Sequence, residues 1–131
     1  MDTGKNDHLT VHDAGPYMVE LRKKHDISQA QAAKVFDISK SYMNEIEKGI
    51  KCPSDAVIRN IAEFFEIDES DLFKRFGKTP LLARELFEEM PGLQDVLAKI
   101  RSNPNLTDDQ RQKFLDSVER TYKELFESTE D

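Results

Sequence analysis

The stretch from Ser28 to Pro53, SQAQAAKVFDISKSYMNEIEKGIKCP, constrains the fold of this chain more than any other. Its pattern predicts two short helices joined by a sharp turn. Ser28 and Ser39 stand where a hydroxyl can cap a helix by accepting a hydrogen bond from a first-turn N–H group. Gly49 stands where the second of these helices would end. Adjacent alanines at 32 and 33 let a neighbouring helix approach closely, as a tight crossing requires.

Apolar residues at helical spacing continue on both sides of this stretch. Gly15-Pro16 predicts the start of a first helix, because proline is tolerated in a first turn. A fourth helix is expected after Ser54, and a short fifth one opened by Asp68 or Ser70 and ended by Gly77. The side chains expected in the core are Tyr17, Met18, Leu21, Ala32, Ala33, Phe36, Met43, Ile46, Val57, Ile58, Ile61, Ala62, Phe64, Phe65, Leu72, Phe73 and Phe76. The sequence therefore predicts an all-α domain of five helices over residues 14–77.

Two further segments flank this domain. Residues 1–13 are polar and lack periodicity, which predicts a disordered arm. His8 and His12 lie in it; they could ligate a metal, but a solvated tail is the simpler interpretation. Residues 78–131 form a helical segment after a boundary at Gly77–Pro80, with its last helix starting at Thr107. We expect this segment to dimerise or to bind a partner through one apolar side, made of Phe114, Leu115, Val118, Tyr122, Leu125 and Phe126.

Composition excludes several classes of protein. No apolar stretch approaches the roughly 20 residues that span a bilayer, and the first residues do not resemble a secretory signal. Cys52 is the only cysteine, so an internal disulfide or a multi-cysteine metal site is excluded. We expect a cytoplasmic protein with no membrane contact, no metal and no cofactor.

Charge is unevenly distributed along the chain. The formal net charge is -7, which argues against a general nucleic-acid coat protein. Basic side chains nevertheless outnumber acidic ones between residues 22 and 51, whereas acidic ones prevail after residue 78. A basic surface on the two-helix stretch is compatible with specific DNA binding, because the local surface matters more than the total charge.

Residues 16–76 resemble the lambda-repressor-like helix-turn-helix family, also called the XRE family. The resemblance is carried by SQAQAAKVFDISKSYMNEIEKGIKCPS, with Leu21-Arg22 before it and NIAEFFEIDESDLF after it. It implies a five-helix DNA-binding domain whose third helix, residues 39–48, enters the major groove. The sequence departs from the family at Ala32, where leucine is usual, and at Asp37, where glycine is usual.

The resemblance also implies individual roles. Gln29 matches a glutamine that holds a phosphate or supports the recognition helix. Lys40, Ser41 and Tyr42 match positions that meet base edges, and Asn44 one that contacts a phosphate or a base. Lys48 and Lys51 match backbone-contacting positions. Arg22 and Glu47 match an ion pair between the first and third helices. Glu45 could accept from a cytosine amino group, although a solvated carboxylate is the simpler interpretation.

The sequence shows no catalytic constellation, so we do not expect an enzyme. The function predicted is a sequence-specific transcriptional regulator, a repressor that binds double-stranded DNA with an inverted repeat as a homodimer. The alternative is a protein-interaction adaptor or an antitoxin-like component whose C-terminal helices bind another protein, such as an anti-repressor. The basic surface favours the first, and the acidic C-terminal segment leaves the second open.

Overall fold

A computed structural model describes the backbone of residues 4–130 and the side chains of residues 13–127. The described backbone is all-α, as predicted, with eight helices and no strand between residues 4 and 130. They are α1 (Gly4–Lys24), α2 (Gln29–Val35), α3 (Lys40–Glu47), α4 (Asp55–Phe65), α5 (Glu69–Arg75), α6 (Leu81–Glu89), α7 (Pro91–Ser102) and α8 (Asp108–Glu130). None of the described helices is both long and apolar enough to cross a membrane.

The predicted serine caps are confirmed. The side chains of Ser28, Ser39 and Ser54 accept hydrogen bonds from the backbone N–H three residues later, at 3.1, 2.9 and 3.3 Å. Gln31 completes a capping box by accepting from the Ser28 N–H at 2.7 Å. Asp68, the first of the two candidates for α5, caps that helix by accepting from the Ser70 N–H. Side-chain oxygens therefore fix where α2 to α5 begin.

The first five helices all end with one residue in the left-handed backbone region. These residues are Asp26, Asp37, Gly49, Glu66 and Gly77. After α3, Gly49 donates to the Ile46 carbonyl and Ile50 to the Glu45 carbonyl, which is the Schellman pattern of helix ends. Asp37, with a φ of 58°, adopts the conformation that glycine adopts more readily.

The apolar stripes of α1 to α5 meet in one core. Its buried members are Ala14, Met18, Leu21, Ala32, Ala33, Phe36, Met43, Ile46, Ile58, Ile61, Ala62, Phe65, Leu72, Phe73 and Phe76. Phe36 and Ala32 are both buried in this core, whereas Val35 is 50 % exposed. Phe64 was predicted to be buried and is 42 % exposed, with its ring edge-on to Phe36. That prediction was wrong because the aromatic side chain packs on the rim of the core.

Helix α1 starts earlier than the sequence predicts. It begins at Gly4 and runs through Gly15-Pro16, so the backbone from residue 4 to 13 is helical where an arm was predicted. Proline inside a helix removes one hydrogen bond but does not force an end. Residues 1–3 and the side chains of His8 and His12 lie outside the described residues.

Gly15 is required by packing. A Cβ atom at this position would lie 2.5 Å from the backbone oxygen of Glu47, the last residue of α3. Any larger residue would push α1 and α3 apart. Gly15 therefore lets α1 pack directly on the C-terminal end of α3.

The chain divides into a first unit, Met1–Leu86, and a second unit, Phe87–Asp131. This division falls later than the predicted boundary at Gly77–Pro80, and the first half of α6 belongs to the first unit. Ion pairs attach this half of α6 to α4. Arg84 lies 2.9 Å from Asp55, and Arg59 bridges Glu69 and Glu85 at 2.8 and 3.0 Å.

The second unit holds the rest of α6 together with α7 and α8. Helix α7 starts at Pro91, so the predicted interruption at Pro91-Gly92 lasts only for Met90. Thr107 and Gln110 form a capping box at the predicted start of α8. Between residues 87 and 127 no side chain is buried. The half-buried apolar side chains are Leu93, Leu97, Ile100, Leu106 and Phe114.

Candidate nucleic-acid interface

Helix α3 carries a polar face away from the core. Met43 and Ile46 are fully buried and hold its inner side against the first unit. At about 100° per residue, positions 41, 44, 45 and 48 occupy the opposite side. These positions hold Ser41, Asn44, Glu45 and Lys48. A short helix with one buried and one polar face can be laid into a groove by its polar face.

Lys40, Ser41 and Lys48 are exposed, as is Lys51 in the loop after α3. Lys40 is the first residue of α3 and Lys48 its C-cap, so two of the basic groups stand at opposite ends of the helix. Ammonium groups in such positions can pair with phosphates on either side of a groove. The structure thus brings the predicted basic contacts to α3 and to the loop that follows it.

Tyr42, one of the predicted DNA contacts, makes contacts within the protein. It is half-buried and packs against the core, and its hydroxyl donates to the Cys52 carbonyl at 3.3 Å. This bond ties α3 to the loop that carries Lys51. Cys52 is exposed, and partial burial of its thiol raises the pKa, which disfavours the reactive thiolate.

An ion pair fixes the C-terminal end of α3 to α1, as the family resemblance implies. Arg22 Nε lies 2.7 Å from one carboxylate oxygen of Glu47, and a second guanidinium nitrogen lies 3.1 Å from the other. Their side chains are only 14 % and 4 % exposed. The hydrogen bond to Glu47 raises the pKa of Arg22, which favours the charged guanidinium. Arg22 also donates to the Ile27 carbonyl at 3.2 Å, which anchors the turn before α2.

Gln29 joins this ion pair to the polar face of α3. Its amide nitrogen donates to Glu47 at 2.9 Å and to the Asn44 side-chain oxygen at 3.2 Å. The family resemblance implies DNA-binding roles for Gln29 and Asn44, but the sequence does not indicate that these two residues bond to each other. Their positions follow from the crossing of α2 and α3, which a sequence pattern does not specify. Among the described residues, no group of histidine, cysteine and acidic side chains could hold a metal ion.

Comparison with known proteins agrees with this geometry. Residues 18–72 match the family model described as Helix-turn-helix. These residues form a helix-turn-helix domain of the lambda-repressor-like, XRE type. Neither a curated protein nor a solved structure matches the chain significantly.

A domain of this type supports a role in DNA binding and transcription regulation. The matched residues contain α2 and α3 entirely, and with them Gln29, Asn44 and the other predicted DNA contacts. The second unit lies outside the match. The polar face of α3 is therefore explained by the helix-turn-helix domain. The exposed apolar side chains after residue 86 need a separate explanation.

Proposed function

We propose that this protein is a sequence-specific repressor that binds an inverted repeat in double-stranded DNA as a homodimer and acts in the cytoplasm. The observation that carries the proposal is the polar face of α3. It is held from behind by Met43 and Ile46 and at its end by the Arg22–Glu47 pair. A recognition helix fixed at this many points presents one defined surface to the major groove.

In this proposal the N-terminal part of α3 contacts bases and the basic groups around its end contact phosphates. Lys40 and Ser41 are exposed at the start of the helix, where they meet base edges. Lys48 and Lys51 neutralise phosphates, and Tyr42 holds the loop that positions Lys51. Gln29 of α2 and Asn44 of α3, which are joined by a hydrogen bond, complete this surface where the two helices cross.

We propose a homodimer because one recognition helix contacts too few base pairs to be specific. A single recognition helix contacts a few base pairs, whereas two related by a twofold axis contact half-sites about 34 Å apart. We assign the pairing to the α8 apolar face, formed by Phe114, Leu115, Val118, Tyr122, Leu125 and Phe126. Leu115, Val118, Tyr122 and Leu125 are spaced three and four residues apart, as in helices that pack along one stripe. All four are about half exposed or more in the single chain.

The test is to select bound fragments from random DNA with the purified protein and to repeat the titration with variants. Lys40→Ala should weaken binding to the selected sequence more than binding to random DNA. Lys48→Ala should weaken both equally and reduce the salt dependence. Equal losses on both kinds of DNA for both variants would contradict this division of roles.

A second candidate function rests on the same exposed side chains. The α8 apolar face would also fit a different protein, which would make the chain an adaptor or an antitoxin-like component that binds its partner there. Sedimentation of the purified protein separates the two. A monomer at micromolar concentration that binds DNA only after a second protein is added would favour the adaptor.

A further inference from the structure

The hydrogen bonds around Glu47 determine which way two side-chain amides point. Glu47 is held by two hydrogen bonds from Arg22 and, as a carboxylate, can only accept. The Gln29 atom that lies 2.9 Å from it must therefore be the amide nitrogen. The same nitrogen lies 3.2 Å from one end of the Asn44 amide, which must then be the oxygen. The buried ion pair thus sets the orientation of both amides.

We propose that this chain of hydrogen bonds makes Asn44 a donor to DNA, so that it recognises a hydrogen-bond acceptor there. The proposal rests on the DNA-binding role given above. Asn44 lies on the polar face of α3, and its oxygen is already engaged by Gln29. Its NH₂ group makes no hydrogen bond to any described residue. The major groove presents acceptors at N7 of both purines, at O6 of guanine and at O4 of thymine, and guanine is the base that offers two of them side by side. Phosphate oxygens lie along the edges of the groove.

The same geometry disfavours the contact that asparagine most often makes with a base. Asparagine recognises adenine by donating to N7 and accepting from the N6 amino group at once. Asn44 would have to give up the Gln29 hydrogen bond to offer its oxygen in that way. Guanine needs donors only, so Asn44 can contact it without disturbing Gln29 or Glu47.

Gln29 receives a different role as a consequence. Both hydrogens of its amide nitrogen are directed to acceptors within the protein, one on Glu47 and one on Asn44. Its remaining polar atom is an oxygen, which a phosphate would repel. Gln29 is therefore a positioning residue for Asn44. Of the two roles implied by the family resemblance, support of the recognition helix is the one that this geometry favours.

The amide orientation can be tested without DNA by exchange of side-chain amide protons in the full chain. Spectra of the ¹⁵N-labelled protein are compared with those of Asn44→Ala and Gln29→Met, which assign the two NH₂ groups by loss of signal. We expect the Gln29 amide protons to exchange slowly with water and those of Asn44 to exchange fast. The reverse pattern would overturn the proposal.

The DNA contact is tested by repeating the selection from random DNA with Asn44→Ala, and with Asn60→Ala as the matched control. Asn60 is an exposed asparagine on α4 of the same unit. If the acceptor is guanine, Asn44→Ala should lose about tenfold preference for guanine at one position of the half-site. If the acceptor is a phosphate, this variant should weaken binding to all sequences alike. Asn60→Ala should behave as the unchanged protein.

Two results would contradict the donor role. Loss of a preference for adenine in Asn44→Ala would show that Asn44 offers its oxygen as well. Unchanged binding and unchanged preference would show that Asn44 does not contact DNA. If the unchanged protein binds no DNA at all, the proposed function itself fails, and the exchange experiment still decides the orientation of the amides.

Discussion

The two units of this protein differ in how far their apolar side chains are buried. In the first unit Phe73, Ile58 and Ile61 are completely shielded from solvent. In the second unit Tyr122 and Leu125 are 67 % and 65 % exposed, although α8 presents a continuous apolar stripe. The first unit therefore contains what it needs to fold, whereas we infer that the second requires another chain to cover it. The difference separates the part that contacts DNA from the part that we propose controls pairing.

The largest expected effect is on the core of the first unit. Phe73→Ala should lower the free energy of unfolding by about 3–5 kcal/mol, because a large cavity forms where no solvent reaches. Phe126→Ala in the second unit should cost less than about 1 kcal/mol in a dilute monomer, because its side chain is already 53 % exposed. Urea unfolding at low protein concentration measures both, and similar losses would remove the contrast between the units.

Pairing should depend on α8 and not on charge alone. Leu125→Asp should raise the dimer dissociation constant by about thirtyfold or more, since an apolar contact is replaced by a buried carboxylate. Ser117→Asp adds the same charge on the polar side of α8 and is the matched control. Sedimentation equilibrium of both variants decides the point. Equal weakening by the two substitutions would indicate that repulsion, rather than apolar contact, governs assembly.

The same glycine substitution should have opposite signs in the two units. Gly15→Ala places a methyl group against the Glu47 carbonyl and should destabilise the protein by about 1–3 kcal/mol. Gly92→Ala in α7 meets nothing within 4 Å and should stabilise its helix by about 0.5–1 kcal/mol. Thermal unfolding followed by circular dichroism tests the pair. A stabilised Gly15→Ala would mean that α1 and α3 are not in close contact.

A substitution at a helix end of the first unit should increase the stability by a smaller amount. Glu66 has a φ of 55°, a left-handed conformation that glycine adopts without cost. Glu66→Gly should stabilise the first unit by about 0.5–1 kcal/mol. Gly49→Ala, at a φ of 77°, should destabilise it by a similar amount. Chemical unfolding measures both, and a loss of stability in Glu66→Gly would show that its side chain makes a compensating contact.

The smallest effect concerns pH and the attachment of α6. Hydrogen bonds from Arg84 and Lys78 lower the pKa of Asp55, and the one from Arg59 lowers the pKa of Glu85. A carboxyl with a lower pKa in the folded state stabilises it above the ordinary value, and this stabilisation is lost as pH falls. Stability should therefore decline below about pH 4. In the double variant Asp55→Asn, Glu85→Gln the decline should be shallower; an unchanged pH profile would contradict these ion pairs.

Much of the first unit could be predicted from sequence, because its signals are local. Ser28, Ser39 and Ser54 cap helices within three residues of themselves, and Gly49 ends α3 in the expected conformation. The Arg22–Glu47 pair was implied by the family resemblance and is present.

The features that could not be predicted from the sequence depend on how the helices cross. Gly15 looked like the start of a helix because its neighbour is proline, but its role is set by the approach of Glu47. The bond from Gln29 to Asn44 joins residues of two helices, and no spacing along the chain indicates it. Phe64 has the periodicity of a core residue, yet α4 lies at the edge of the core there.

The most direct test of the account is a fluorescence anisotropy titration of the full chain on selected DNA. One probe carries the selected inverted repeat and the other a single half-site of the same length. We predict one dimer per inverted repeat and binding at least about a hundredfold tighter than to the half-site, a difference that Leu125→Asp abolishes. Equal affinity for the two probes, unchanged by Leu125→Asp, would contradict the claim that α8 pairs two DNA-binding units.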